Sequence, residues 1–123
     1  MLTRSGTIIR DSIRSGNDSI LSAVMPASEL PEKVELHQNY PNPFNPGTTI
    51  EYSLNHDGQV RLEVFDVAGR CVRTLFDEYQ VGGKHRTTWD GFSDAGSESS
   101  GGVYFVRMHF DGEMRTVRTM LLK

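Results

Sequence analysis

The chain has 123 residues, of which 37% are hydrophobic and 24% charged, and its net charge is −3 at neutral pH. This length holds one domain with a modest core, which excludes a large multidomain enzyme. The acidic balance argues against nucleic acid as a partner, since binding to phosphates needs a basic surface. The apolar runs are too short to predict a membrane span.

Residues 1–33 differ from the rest of the chain, because they are rich in serine and contain no aromatic side chain. We expect a linker or the end of an upstream region, with a short strand at 7–9 and a short helix or strand at 20–24. A strand that adds to the following domain is the alternative. The first residues lack the apolar run of a signal peptide. If the protein works outside the cytoplasm, we expect this chain to be part of a longer precursor.

Residues 34–123 alternate apolar and polar side chains over short runs that are separated by glycine and asparagine turns. Alternation with a period of two is typical of strands with one buried face. The predicted strands are residues 34–37, 48–54, 59–66, 70–76, 84–90, 103–110 and 113–122. Seven short strands in about 90 residues indicate an all-β fold, a seven-stranded antiparallel immunoglobulin-like β-sandwich.

The connections between these strands carry turn residues. Residues 55–58, Asn-His-Asp-Gly, predict a hairpin between the second and third strands, and residues 67–69 predict the next hairpin. Asp111-Gly112 joins the last two strands and is the strongest hairpin signal in the chain. Glycine pairs at 82–83 and 101–102 mark further turns.

Three features of the strands bear on the core. Trp89 is the only tryptophan, and we expect it to fill the core of the sandwich. Cys71 is the only cysteine, so an intramolecular disulfide is excluded, and we expect a buried or half-buried apolar side chain. Val72 and Leu75 are spaced by three, which predicts a bulge or a local twist of the fourth strand.

No pattern of residues indicates catalysis. The histidines fall on different strands and turns without the spacing of metal ligands, and no nucleophile elbow or phosphate-binding loop occurs. We therefore expect no enzyme activity, no cofactor and no metal. Asp90 and Asp94 lie in a glycine-rich loop and could offer oxygen ligands to calcium, but they do not follow the calcium-loop pattern. We expect both to bond backbone groups in turns.

Residues 38–48 form the most unusual stretch, Gln-Asn-Tyr-Pro-Asn-Pro-Phe-Asn-Pro-Gly-Thr. The three prolines fix their own φ and hold the preceding residues in extended conformations. Asn42 and Asn45 are expected to satisfy loop backbone groups through Asx turns. Tyr40 and Phe44 are expected to pack onto the sandwich as plugs. This stretch predicts a rigid loop that leads into the second strand.

The sequence LHQNYPNPFNPGTTIEYSL, residues 36–54, closely resembles the opening of the type A C-terminal sorting domain of the type IX secretion system (the Por secretion system sorting domain). The resemblance continues in order through residues 58–66, 68–75, 83–91, 100–105 and 118–123, and so covers residues 34–123. The proline-asparagine opening is the specific part. The later segments are shared with the immunoglobulin-like domain of flagellar hook-capping proteins.

The resemblance implies a sorting function. Such a domain directs a periplasmic cargo protein through the outer-membrane translocon of Bacteroidetes-type bacteria to the cell surface or the medium. A sortase-like surface protease then usually removes the domain. The implied partners are therefore the type IX translocon, that protease and a cargo domain on the N-terminal side.

Two sets of residues follow from the resemblance. The family's signature loop is Asn39, Tyr40, Pro41, Asn42, Pro43, Phe44, Asn45 and Pro46. The residues expected to be recognised by the translocon lie in the last hairpin: Gly102, Tyr104, Arg118, Met120, Leu121, Leu122 and Lys123. Arg107, Arg115, Arg118 and Lys123 are expected to concentrate positive charge there, which would steer association with an acidic partner.

Other readings stay open at this point. The chain could be a structural module of the hook-capping type, or a carbohydrate-binding module with an exposed platform that contains Trp89 or Tyr79. An uncovered edge strand would permit a homodimer. Residues 11–13 and 18–20, both Asp-Ser-Ile, resemble a short acceptor motif for serine glycosylation in Bacteroidetes.

Overall fold

The computed structural model describes residues 30–123. The expected linker over most of 1–33, the elements at 7–9 and 20–24 and both Asp-Ser-Ile motifs lie outside the described residues. Val34 is the first buried side chain of the described part.

Seven antiparallel strands form two sheets, as the alternation predicts. The strands are β1 (Glu35–Leu36), β2 (Thr48–Leu54), β3 (Gly58–Asp66), β4 (Cys71–Gln80), β5 (Gly83–Trp89), β6 (Gly102–Phe110) and β7 (Glu113–Leu121). One sheet has the order β1-β2-β5 and the other the order β4-β3-β6-β7. This arrangement is an immunoglobulin-like sandwich, so the predicted fold class is confirmed.

The two hairpins predicted at 67–69 and 111–112 are present. β3 pairs with β4, and β6 pairs with β7 from Gly102↔Leu121 to Phe110↔Glu113. At the second turn Asp111 and Gly112 have φ of 51° and 77°, the left-handed conformations that a two-residue turn of this kind requires.

The hairpin predicted at residues 55–58 is wrong. β2 pairs with β1 and β5, whereas β3 pairs with β4 and β6, so residues 55–58 cross from one sheet to the other. The turn residues are those of a hairpin, but both edges of each flanking strand are taken by other strands. The carboxylate of Asp57 instead accepts the backbone N–H of Gly82, which lies in the connection from β4 to β5. This hydrogen bond joins two connections that each run from one sheet to the other.

The bulge predicted in the fourth strand is confirmed. In the β3–β4 ladder Leu62 pairs with Phe76 and Glu63 with Thr74, so Leu75 has no opposite residue. Val72 likewise has no opposite residue, because Val64 pairs with Arg73 and Phe65 pairs with Cys71. Both side chains pack against the core cluster. The two extra residues twist β4, as bulges do.

The core lies between the sheets and is built from the alternate residues of β2, β3 and β6. Tyr104, Val106, Met108 and Phe110 all face it, and Trp89 is 0% exposed. Trp89 contacts Tyr104 edge-on at 5.3 Å between ring centroids. The expectation that Trp89 fills the core is confirmed. The expectation for Cys71 is wrong, because its side chain is exposed at the start of β4.

Within residues 30–123, two ionisable groups have shifted pKa values. Burial raises the pKa of Tyr52 to about 12, and the negative charge of Glu78 contributes in the same direction. The pKa of Asp66 is lowered, first by the backbone N–H of Arg70 and then by that of Ala68 and by the Arg70 side chain. Asp66 thereby organises the turn between β3 and β4.

Candidate functional site

Residues 39–46, the signature loop, lie against residues 118–123, the terminal segment. Phe44 is the anchor of this contact, since its side chain is buried and packs on Trp89 with 5.5 Å between ring centroids. Phe44 forms a parallel bridge with Leu121, whose side chain is also buried. The expectation that Phe44 packs onto the sandwich is confirmed.

The signature loop acts as a short extra strand beside β7, which is the edge strand of its sheet. The N–H of Phe44 donates to the carbonyl of Met120 at 3.0 Å, and the N–H of Leu122 donates to the carbonyl of Phe44 at 2.8 Å. The Oδ1 of Asn42 accepts the N–H of Met120 at 3.0 Å. The Nε2 of Gln38 donates to the carbonyl of Arg118 at 2.7 Å. The loop therefore closes the edge of the sheet along the terminal segment.

Asn42 does not make the Asx turn that we expected from the sequence. Its side chain instead accepts hydrogen bonds from the Met120 N–H and from the hydroxyl of Thr119, at 3.0 and 3.3 Å. The Met120 N–H lies on the open edge of β7, and it would lack this partner if Asn42 bonded its own loop. The asparagine thus joins the loop to a strand far away in the chain.

Asn39 lies at the centre of a buried polar network and is 2% exposed. Its Nδ2 donates to the hydroxyl oxygens of Thr119 at 2.6 Å and Thr48 at 2.9 Å, and contacts the carbonyl of Pro41 at 3.1 Å. Its Oδ1 accepts from the Nε2 of Gln38 at 2.7 Å. Because both threonines are buried, the network satisfies polar groups that would otherwise be costly to remove from water.

The site therefore includes Gln38, Thr48 and Thr119, which sequence reasoning missed. Thr48 in β2 and Thr119 in β7 have buried side chains, and a buried polar side chain needs a hydrogen-bond partner. The alternation of each strand indicates in the sequence that these positions face the core, but it does not identify the partner. Asn39 and Thr119 are separated by 80 residues.

The remaining side chains of the terminal segment point outward. Arg118, Met120 and Leu122 are exposed, the last two at 41% and 47%, while Thr119 and Leu121 between them are buried. Arg118, Met120, Thr119 and the loop residues Asn42 and Pro43 line a depression of about 140 Å³, with Val103 on its other side.

Tyr40 is not the plug that we expected. Its side chain is 80% exposed, although its backbone pairs with Thr49. Beneath the loop it is Phe44 that packs on Trp89, and Tyr40 remains in solvent. Tyr40 thus belongs to the outer surface of the loop.

The positive charges of the last hairpin are not gathered as we expected. The guanidinium of Arg107 lies over the ring of Phe65 at 4.5 Å, and Arg115 pairs with Glu113. Lys123 pairs with Glu98 at 3.2 Å. Within residues 30–123, Arg118 is the only arginine that makes neither an ion pair nor a cation–π contact.

The two expected residues of β6 lie beside the terminal segment. Gly102 pairs with Leu121, and Tyr104 pairs with Thr119. The hydroxyl of Tyr104 donates to the carbonyl of Ser100 at 2.6 Å, the back-bond of a tyrosine corner. A Cβ on the preceding Gly101 would lie 2.9 Å from the Lys123 side chain, so the end of the chain passes close to this turn. The structure thus brings both sets of predicted residues to one edge of the sandwich.

The loop with Asp90 and Asp94 is held by protein groups. Asp90 accepts the N–H of Phe92, and Asp94 accepts the N–H of Thr74 beside the β4 bulge. Arg73 lies near both carboxylates, at 3.6 and 3.8 Å. Within residues 30–123, no group of three or more His, Cys, Asp or Glu side chains is placed to hold a metal ion. That part of the chain also contains no helix that could cross a membrane.

Comparison with known proteins places the fold. The sequence profile of the FlgD Ig-like domain family matches residues 45–113, more than half of the chain. No curated protein matches the sequence. Among solved structures, dimeric latent PorU from Porphyromonas gingivalis is similar, with a TM-score of 0.58 and 21% identity. That similarity covers 69% of this chain and 9% of PorU, and it is evidence for the fold only.

Two further solved structures show weaker similarity. PorZ of Porphyromonas gingivalis, described as an essential surface component of the type IX secretion system, has a TM-score of 0.47 and 23% identity over 79% of this chain and 12% of PorZ. FlgD from P. aeruginosa has a TM-score of 0.49 and 23% identity over 61% of this chain and 60% of FlgD. The chain therefore spans less than two thirds of each of these three proteins.

Proposed function

The chain belongs to the FlgD Ig-like domain family, and we propose that it serves as a C-terminal sorting domain. In this role the folded domain directs a periplasmic cargo protein through the type IX secretion system to the cell surface or the medium. The domain is not an enzyme and needs no cofactor. Its partners are the outer-membrane translocon, a sortase-like surface protease and the cargo that precedes it.

The main support for this proposal is the contact between the signature loop and the terminal segment. These are the two stretches that the resemblance to type IX sorting domains singles out, and they meet through Phe44, Asn39 and Asn42. Residues 39–44 and 118–123 both lie outside the range that the family profile matches. The matched range contains β2 to β6, so the family match does not account for the edge formed by the loop and the terminal segment. This edge supports a specialised role.

The geometry suggests how a sorting signal of this kind works. The buried side chains of Phe44 and Leu121 hold the two segments rigid. Because the surface is preformed, binding to a receptor would cost little conformational entropy. The backbone enters the sandwich at Val34, and a surface protease would act on the chain before this point. Recognition and removal would thus use residues at opposite ends of the domain's sequence.

A second candidate is a structural assembly module of the hook-capping type, because the family profile is that of the FlgD Ig-like domain. In this role the sandwich would bind neighbouring subunits of a filament, and export would not depend on the terminal segment. A sugar platform built on Trp89 is excluded by the complete burial of that side chain. Tyr79 is exposed but has no aromatic neighbour among the ring contacts of residues 30–123.

The test uses a fluorescent reporter that is directed to the periplasm and carries residues 26–123 at its C-terminus. We expect the reporter to reach the surface or the medium in a bacterium with a working type IX system, and to stay in the periplasm in a translocon-null strain. A folded reporter that stays in the periplasm of both strains would contradict the sorting role. Binding of that retained protein to filament subunits would favour the assembly role.

A matched pair of substitutions locates the signal. Deleting residues 119–123 would remove Leu121 from the core, so a point change at an exposed site is cleaner. Leu122→Asp places a charge on the terminal segment, whereas Val67→Asp places the same charge on an exposed aliphatic site in the β3–β4 turn. We expect Leu122→Asp to trap the reporter and Val67→Asp to be exported like the wild type.

A further inference from the structure

The outward face of the terminal segment consists of side chains that the sandwich does not use. Arg118, Met120 and Leu122 alternate with the buried Thr119 and Leu121, so they lie on one face of the terminal segment, which continues one residue past the end of β7. Two of the three are apolar, and the third carries a charge. These are the residues of the segment that are free to contact a partner.

The edge of the same segment is closed between the carbonyl of Arg118 and the N–H of Leu122. Over this stretch the outward groups are those two and the N–H and carbonyl of Met120, and all four bond to Gln38, Asn42 or Phe44. A partner that adds a strand needs free N–H and carbonyl groups along an edge. Strand addition here would have to pull the buried Phe44 side chain away from Trp89.

The charge on this face is unusual for the domain. Every other arginine in residues 30–123 makes an ion pair or a cation–π contact, whereas the guanidinium of Arg118 makes neither, although Phe105 lies opposite Arg118 in β6. The chain as a whole is acidic, with a net charge of −3. An unpaired arginine on an acidic domain attracts a carboxylate of a partner and orients it through paired N–H donors.

An apolar recess lies next to this charge. Pro43, Val103 and Met120 line the depression of about 140 Å³ together with Arg118. Its size suits one aliphatic side chain. The guanidinium of Arg118 and the recess beside it would together bind a segment that carries a carboxylate close to an aliphatic side chain.

We propose that an extended acidic segment of the outer-membrane partner reads the outward face of the terminal segment, with Arg118 as the specificity-determining residue, and does not add a strand to the edge of β7. This inference rests on the proposed sorting function and names the chemistry of the partner. The signature loop then has two tasks, which are to block the edge and to form one wall of the recess.

The test compares two charge reversals that change the net charge by the same amount. Arg118→Glu alters the proposed face, and Arg86→Glu alters an exposed arginine on β5 in the other sheet. Arg118→Lys keeps the charge. Each full chain, labelled with a fluorophore, is titrated with outer-membrane vesicles from type IX-competent cells and from translocon-null cells, and the same substitutions are placed in the exported reporter.

We expect Arg118→Glu to weaken translocon-dependent binding by about tenfold or more, the effect of losing one charge-assisted hydrogen bond. Arg86→Glu should stay within about threefold of the wild type. Arg118→Lys should bind with an affinity between those of the wild type and Arg118→Glu, because lysine keeps the charge but not the paired donors. Wild-type binding should weaken between about 50 and 200 mM salt, because ions screen an exposed charge pair, and Arg118→Glu should remove this dependence. The urea midpoint of Arg118→Glu should match that of the wild type, since Arg118 is exposed and has no ion pair to lose.

Three results would overturn the inference. The first is equal binding and export of Arg118→Glu and Arg86→Glu while the wild type is exported normally, which leaves the sorting function intact. The second is equally strong binding to protein-free vesicles of anionic lipid, which would assign Arg118 to a membrane surface. The third is tighter binding by Asn42→Ala, which frees the Met120 N–H and would favour strand addition. Failure of wild-type export in the competent host would instead contradict the proposed function itself.

Discussion

Replacing Asn39 by alanine tests the polar network beneath the signature loop. The substitution removes the donors to Thr119 and Thr48, at 2.6 and 2.9 Å. The carbonyl of Pro41 keeps a partner, because the Thr48 hydroxyl also donates to it at 2.8 Å. The Nε2 of Gln38 loses Asn39 Oδ1 as an acceptor but keeps the carbonyl of Arg118. The loss without replacement is therefore two buried hydrogen bonds at about 1 kcal/mol each, plus a small term for the space left by the amide. We expect the free energy of unfolding to fall by about 2–3 kcal/mol.

Urea unfolding of the full chain measures this change. A lower midpoint with an unchanged m-value would show that the folded state has lost stability without a change in the surface exposed on unfolding. Asn45→Ala is the matched control, because Asn45 lies in the same loop, is exposed and makes no side-chain hydrogen bond within residues 30–123. The control should stay within about 0.5 kcal/mol of the wild type. Equal stability of the two variants would refute the reasoning.

Three further predictions concern the anchor, the last turn and alkaline pH. Phe44→Ala should cost about 3–5 kcal/mol in urea unfolding, as expected for a buried aromatic side chain, and a loss below about 1 kcal/mol would show that the loop is not anchored there. Gly112→Ala should cost about 1–2 kcal/mol, because a Cβ is strained at φ of 77° even though the space around it is open, and an unchanged thermal midpoint would contradict the assigned turn. The pKa of Tyr52 is raised from 10.0 to about 12, so the stability that depends on its neutral form is complete below pH 10 and is lost as the pH rises toward 12. Tyr52→Phe should abolish that alkaline loss, and an unchanged pH profile would refute the assignment.

The strands could be predicted from the sequence because alternation is a local signal. β2 was predicted with both of its ends correct at residues 48–54, and β6 and β7 within one residue. β4 was predicted to end at residue 76, but it continues to Gln80. Residues 77–80 carry acidic and polar side chains without apolar alternation, and they become a strand only because they pair with residues 58–61 of β3.

The allocation of strands to sheets could not be predicted in the same way. Residues 55–58 have the composition of a hairpin turn, yet they connect two sheets. Which strand pairs with which depends on hydrogen bonds between distant segments, and a turn sequence contains no information about them. The exposure of Cys71 has a similar origin, since it lies at the start of a bulged edge strand.

The candidate site was predicted as a set of residues but not as an arrangement. The resemblance supplied the signature loop and the terminal segment separately. Their contact depends on Asn42, which looks like a local turn former but bonds a strand 78 residues further along the chain. Gln38 and Thr119 were missed for the same reason, because their partners are defined only by the tertiary structure.

Everything proposed for this domain depends on the signature loop closing the edge of the last strand, and amide hydrogen exchange tests that contact most directly. In the full chain, the N–H groups of Met120 and Leu122 should be protected like those of the central strands, because Asn42 and Phe44 accept their hydrogen bonds. Asn42→Ala should speed exchange at Met120 and leave Leu122 protected. Wild-type exchange at both amides as fast as in an unstructured peptide would contradict the contact and the surface built on it.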